Sequence, residues 1–476
     1  MNSPLIWIMV PGLVGFGLLF LRRYSLLLHI IGILTALLLA YLAWSLPFEE
    51  SIRIIPLPSI PSIRVEDTLT ILGRRFILDD SARPSLVLIF LVSALWFGGA
   101  FISRVNLLFT PLGLWIASLA TAALAVEPFL YAAVLIFGVA LICIPILNPP
   151  GSAVNQGVLR FFKYQAIGMA VVLIGGRLLS DVELNPTNVQ LAIRVTIIIG
   201  LGFAFITAIF PFYTWIPMVA RDAHPYASAY VFFLFPAIVG LLSVNYIQQH
   251  RSIGIPLNAG EALRILGVIM ILLGGLRAAG ERNLVRMMGF AAILEIGMSL
   301  LAMSLVADTS IITPAYGFYF SQQLPRMISL ALWALSLSFL KESGFSYSLD
   351  EVAGAAREKP FISASLVLST LTIAGMPFLA AFPVMISLWS NLLPRAPLIV
   401  ILAILGMMGV MVAGIRTLVT LVQVQGGEQK WRITERLSQV IFLVSGWLML
   451  LIVGTMPQLF LPILTNMAII HTAPIK

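Results

Sequence analysis

Ala204–Pro217, AFITAIFPFYTWIP, is the stretch that decides how this chain folds. Pro211 stands in a run of apolar and aromatic residues that carries no charge. Proline removes a backbone N–H and clashes with the preceding turn, so a helix entering this run must break. Within a membrane such a break is tolerated only where other groups re-satisfy the freed backbone. Transporters place breaks of this kind where an ion is held. Here the break is present and the ionisable group that would use it is missing.

The surroundings fix the class. Of 476 residues, 60% are hydrophobic and only 10% are charged, where a soluble domain carries about 25% charge. The chain is therefore expected to be an all-α integral membrane protein, a single polytopic domain over 1–476. A span needs about 20 apolar residues. That rule places spans near 4–21, 25–46, 86–103, 107–125, 129–147, 161–179, 191–213, 226–247, 262–279, 284–306, 315–340, 361–391, 397–424 and 437–465, about fourteen in all. The opening MNSPLIWIMVPGLVGFGLLFL runs into Arg22-Arg23 without a small-residue cleavage site and reads as the first span, not as a removable leader. Between spans, 47–85 holds two β-prone runs flanking Gly73-Arg74 and reads as a surface hairpin loop.

Chemistry-bearing residues are sparse. The single cysteine, Cys143, lies in an apolar segment, and His29, His224, His250 and His471 form no pair at ligand spacing. No metal, cofactor or catalytic residue is assigned to the chain. With the amino terminus placed outward, the formal net charge of +8 falls on the inward loops, the bias expected of a multi-pass protein. Both termini then lie on the outer face. The isoelectric point near 9.8 needs no nucleic-acid partner to explain it.

A second break, TIAGMPFLAAFPVMISLW over 372–389, centres on Pro377. In this count it lies five spans after the first. An odd offset reverses direction through the bilayer, so the pattern predicts two inverted five-helix repeats, near 107–247 and 262–424, each with a proline-broken helix.

At these residues the sequence resembles the antiporter-like membrane subunits of complex I, the M- and N-type chains of NADH:quinone oxidoreductase. That family also takes in membrane-bound hydrogenases and Mrp-type cation/proton antiporters. FPFYTWIP with AHPYASA (223–229), ERNLVRMMGFAAILEIG (281–297), SQQLPRMISLAL (321–332) and SLDEVAGAAREKP followed by AGMPFLAAFP carry the likeness. Such subunits hold two half-channels and a row of charges along the membrane plane. By spacing, the family's fifth-span glutamate falls near Ile136, its seventh-span lysine on Ile206, its eighth-span lysine or histidine near Pro236 or Ala237, and its twelfth-span lysine or glutamate near Met385. All are apolar here. The family's eleventh-span His and Lys fall on Gln322 and Arg326.

The resemblance implies a membrane-arm subunit that packs with other membrane subunits in the lipid bilayer of a bacterial-type energy-transducing membrane. It would be non-redox itself and contribute to redox-coupled proton translocation or to a non-pumping variant of it. A free-standing or Mrp-type cation/proton or inorganic-carbon transporter subunit is the alternative. Intramembrane ionisable residues mark functional sites by default, which leaves Lys163, Glu295, Arg326 and Gln322 as proton-path or ion-pair candidates. Each keeps two readings: Lys163 as a relay or a snorkelling interface lysine, and Glu295 with Arg326 as a relay or a static pair fixing helix packing. Pro211 and Pro377 mark the broken helices.

Overall fold

The computed structural model describes residues 2–46, 51–52, 63–64, 66–71, 73–184, 188–249, 259–306, 312–423 and 431–472. Among them, eleven helices are long and apolar enough to cross a membrane. The shorter apolar helices Leu5–Phe20 and Phe109–Ala125, with the broken pair Pro360–Ile373 and Phe382–Leu392, bring the spans to about fourteen.

The amino-terminal part comprises α1 (Val10–Phe20), α2 (Ser25–Ser45) and α3 (Arg83–Ala100). Two five-element sets follow in the same order. The first is α4 (Phe109–Ala125), α5 (Ala132–Leu147), a long α6 (Gln156–Leu184), the broken α7 (Val189–Thr207) and α8 (Trp215–Asp222), then α9 (Pro225–Gln249). The second is α10 (Ala259–Gly280), α11 (Leu284–Val306), a long α12 (Ile312–Glu342), the broken α13 (Pro360–Ile373) and α14 (Phe382–Leu392), then α15 (Pro397–Val422). In both sets the third helix is the longest, at 29 and 31 residues, and the fourth is the one that breaks.

Two boundaries differ from the sequence reading. The last apolar run, expected as one span over 437–465, divides at Met456 into α16 (Leu437–Thr455) and α17 (Pro457–Thr472). Pro457 cannot continue the helix before it but suits the start of the next, and α17 turns back against α12 and α3. The sixth span starts earlier than expected, at Gln156. The Asn155 side chain accepts the Val158 N–H at 3.2 Å and caps it. Lys163 therefore sits in the second turn, not at the opening.

The hairpin forms where the β-prone runs stand. Strand β3 (Thr68–Ile71) pairs antiparallel with β4 (Arg74–Ile77), Ile71 opposite Arg74. Residues 126–127 add β5 (Val126–Glu127) to its far edge, a partner the sequence did not suggest. Glu127 is thereby an exposed strand residue paired with Arg75 at 3.7 Å. Ser51–Ile52 and Ile63–Arg64 (β1 and β2) also pair; the rest of the expected 47–85 loop that precedes Glu66 lies outside the described residues. The amino terminus is tied to this sheet, with Ser3 Oγ donating to Leu78 O at 2.8 Å and Asn2 Nδ2 to Thr68 O at 2.9 Å.

Packing in the centre is by small residues and full burial. The α11 window is wholly enclosed by protein and the α9 window 94% enclosed, whereas that of α16 is only 22% enclosed. Anything polar on α11 is therefore away from lipid. Helices α10 and α15 touch through backbone: a side-chain carbon on Gly275 would overlap the Gly406 carbonyl. Close backbone approach at small residues is the usual glue between membrane helices, because lipid offers no hydrophobic drive for their association. We expect Gly406→Leu to destabilise the protein by at least about 2 kcal/mol, measured by thermal unfolding in detergent. Gly200→Ala, where the added carbon meets open space, should leave the midpoint unchanged.

Candidate functional site

The two breaks are built alike. At the end of α7, Ala208 adopts a left-handed conformation (φ 63°), and the Ile209 N–H donates back to Ala204 O at 2.9 Å. At the end of α13, Gly375 is left-handed (φ 76°) and the Met376 N–H donates to Leu371 O at 3.0 Å. Both are six-to-one closures of a helix end around a left-handed residue. Pro211 and Pro377 follow within three residues and prevent the helix from resuming directly.

Each closure leaves carbonyls that hydrocarbon cannot hydrate. At the first break Gln165, 1% exposed on α6, donates its amide to Ile206 O at 3.0 Å. Thr207 Oγ1 bonds Phe203 O at 2.6 Å. Arg160 and Tyr164 approach Thr214 at 3.3 and 3.4 Å. At the second break Thr372 Oγ1 donates to Leu368 O at 2.7 Å, and the Gly375 backbone faces the Met385 and Met407 side chains. Ile136, Ile206, Ala237 and Met385 are all buried in the apolar core. The carbonyls at both breaks are thus met by backbone N–H groups and by the neutral side chains of Gln165, Thr207 and Thr372, while the exposed Arg160 reaches only the Thr214 hydroxyl.

The buried charges lie elsewhere, on α11 and α12. Glu295 is 3% exposed and Arg326 1%, with Gln322 and Gln323 buried beside them. Gln322 Nε2 lies 3.5 Å from Glu295 Oε2 and 3.4 Å from its carbonyl. Arg326 Nη1 donates to Ser299 Oγ at 3.2 Å, and Ser299 Oγ donates on to Glu295 O at 3.1 Å. Arg326 Nη2 donates to Phe232 O at 3.0 Å. That last acceptor has a sequence cause: Phe232 O would take the N–H of residue 236, and residue 236 is proline. An arginine, which keeps its proton and needs acceptors, fills the place of the missing donor. The guanidinium also stands 5.7 Å from the Phe233 ring.

Glu295 and Arg326 line one cavity with Gln322, and Ala381 with Val384 and Met385 of α14 closes it. Its free volume of about 10 Å³ for a water centre is about one water. Carboxylate and guanidinium share this wall without joining directly; the hydrogen bonds of Arg326 run to Ser299 and Phe232. Arg326 Nε and Gln322 Oε1 carry no protein hydrogen bond. Lys163 is not part of the group, since it lies on the exposed face of α6. His224 sits in the turn before α9, where its Nδ1 accepts the Tyr226 N–H at 3.3 Å. Burial pulls its imidazole down to about 4, against a backbone hydrogen bond at Ser103 that raises it, so it is neutral near pH 7. The sequence reading placed Glu295, Arg326 and Gln322 deep in adjacent spans and missed Gln165 and the Phe232 carbonyl. Pro236 was the one available signal for the latter.

Residues 165–412 match the family model of the transmembrane NADH:quinone oxidoreductase/Mrp antiporter domain. The chain belongs to that family. It is an integral, multi-pass membrane protein. It is similar to NAD(P)H-quinone oxidoreductase chain 4 2 of Trichodesmium erythraeum (strain IMS101), at 29% identity over 47% of this chain and 39% of that protein. It is similar also to NADH-quinone oxidoreductase subunit N 2 of Acidobacterium capsulatum, at 26% over 66% and 67%. The chain thus spans only about two fifths of the first of these relatives. In fold it resembles a chain of the Mrp complex from Dietzia sp. DQ12-45-1b (TM-score 0.76, 15% identity, 99% and 98% covered). A chain of an archaeal membrane-bound sulfane sulfur reductase (0.77, 16%, 98% and 97%) and one of respiratory complex I from Thermus thermophilus (0.69, 18%, 99% and 100%) share that fold.

Removing one member of a buried charged group leaves the other uncompensated, at about 3–5 kcal/mol. Arg326→Met is expected to cost that much in unfolding free energy, and Glu295→Gln less. The double variant should fall short of the sum by about 0.5–3 kcal/mol, the range for coupled neighbours. Additive losses would show that the two side chains do not sense each other.

Proposed function

We propose that the chain is a membrane-arm subunit of a complex-I-like NADH/quinone oxidoreductase or of a related membrane hydrogenase, where it supports redox-coupled proton translocation without conducting protons itself. Its partners are the other membrane subunits, and the assembly supplies all redox chemistry. Family membership supports the setting. The observation that carries the non-conducting role is that the carbonyls at both breaks are met by neutral amide and hydroxyl side chains, with Ile206 and Met385 buried in apolar surroundings where the resemblance would lead one to expect exchangeable charges.

A proton relay needs groups that release and rebind protons, spaced so that one ionisation shifts the next. Arg326 does not release its proton. Glu295 stands against Gln322 in a cavity that admits about one water, so no exchanging neighbour is at hand. The cluster acts instead as a polar lock between α9, α11 and α12. The recurring helix order supports two repeats, over 107–247 and 262–424, and the charge bias of the loops supports an outer-face location for both termini.

Purification from native membranes should co-isolate hydrophilic flavin or iron–sulfur subunits at fixed stoichiometry; recovery of the chain alone would favour a free-standing transporter. Within the assembled complex, Glu295→Gln should leave the number of protons pumped per electron pair unchanged. A drop in that ratio with the complex intact would make Glu295 part of a relay and refute the non-conducting role.

A further inference from the structure

A second cavity, of about 570 Å³, opens at the end of the bundle that holds the α3–α4 turn, the last residues of α12 and the start of α16. Its polar side is an arginine pair around one acid. Arg104 Nη2 lies 2.9 Å and Arg436 Nη1 2.7 Å from the same oxygen of Glu342, whose other oxygen accepts Gln439 Nε2 at 3.2 Å. Two guanidinium groups against one carboxylate leave an excess of one positive charge. Each guanidinium has five N–H donors, and Glu342 engages few of them. Both arginines remain well exposed, at 63% and 62% of their side chains, while Glu342 is largely covered at 18%. Arg104 is held in a left-handed conformation (φ 52°) that side-chain-bearing residues rarely adopt, which turns it toward Glu342.

The other wall is apolar, formed by Ala100, Phe101, Ile102, Val105 and Leu107. Ser25 at the start of α2, and Ser438 with Gln439 at the start of α16, bring two helix amino termini to the same rim. Their helix dipoles favour negative charge. A ligand for this cavity must therefore carry an anionic head with several acceptor oxygens and an apolar tail beside it. Basic pockets between membrane helices bind anionic lipid headgroups by this combination.

We propose that this cavity is a binding site for an anionic phospholipid, its phosphate held by Arg104 and Arg436 and one acyl chain lying along Phe101 and Leu107. Arginine suits the task because its planar fork meets phosphate oxygens two at a time. Glu342 poses the two guanidinium groups and lowers the net charge, so bound lipid neutralises the site without leaving a buried excess.

The test titrates dioleoylphosphatidylglycerol into the full chain, purified with its co-isolating subunits in neutral detergent, and follows the thermal unfolding midpoint. Dioleoylphosphatidylcholine and inorganic phosphate serve as separate arms. Phosphatidylglycerol should raise the midpoint in a saturable way, and the other two should not. The Arg104→Gln/Arg436→Gln double variant should bind phosphatidylglycerol about tenfold more weakly, the loss expected for charge-assisted hydrogen bonds. If that variant does not accumulate, Arg104→Gln alone should still weaken binding several-fold. Equal responses to both lipids, an equal response to phosphate alone, or an affinity unchanged in the arginine variants would each overturn the proposal.

Discussion

Backbone polar groups in hydrocarbon have no water to turn to, and the broken helices of this protein are built around meeting that requirement. Two helices are interrupted by proline inside the bundle, and each interruption exposes carbonyls that would cost several kcal/mol apiece if left alone. The chain meets the cost twice by the same means: a left-handed residue closes the helix end with a six-to-one bond, and hydroxyl or amide side chains take up carbonyls nearby. Inside the unbroken α9, Pro236 also removes a backbone donor, and the Phe232 carbonyl it leaves is met by the guanidinium of Arg326.

That difference bears on what the charges are for. In transporters generally, a broken helix is a place to hold an ion or a titratable group. Here the carbonyls at the breaks are taken up by backbone N–H groups and by the neutral side chains of Gln165, Thr207 and Thr372. The buried charges lie at a separate site, where one of them completes a helix backbone. An arginine that satisfies a carbonyl and a serine hydroxyl is fixed in place by geometry, and its proton is not available for transfer. The carboxylate opposite is held by a glutamine amide at the long end of hydrogen-bonding range, in a space of about one water. Packing α9, α11 and α12 together is the work this arrangement can do.

Much of this was legible in the sequence. Apolar runs of span length, punctuated by Gly and Pro, gave the helices, and the order of motifs gave the family. Pro211 and Pro377 gave the breaks directly, because proline acts locally. Depth along a span placed Glu295, Arg326 and Gln322 in one region. The sequence could not say which atoms meet, because that depends on how neighbouring helices are rotated. Span order made Glu295 the nearest candidate partner for Arg326; the folded chain sends the arginine to Phe232 and Ser299. Gln165 escaped notice for the same reason, since nothing in its neighbourhood along the chain points to Ile206. The division at Met456 was missed because the apolar run resumes at Leu459 after only a short dip, and the helix-breaking chemistry of Pro457 is what marks the turn.

The most direct measurement is a structure of the assembled complex in a lipid environment at a resolution that shows ordered water. We expect water beside Glu295 and Arg326 to be isolated, with dry apolar contacts around Ile206 and Met385 and no connection from one face of the membrane to the other. A continuous file of water running through either break and reaching Glu295 would contradict the view that this subunit holds its charges without passing protons between them.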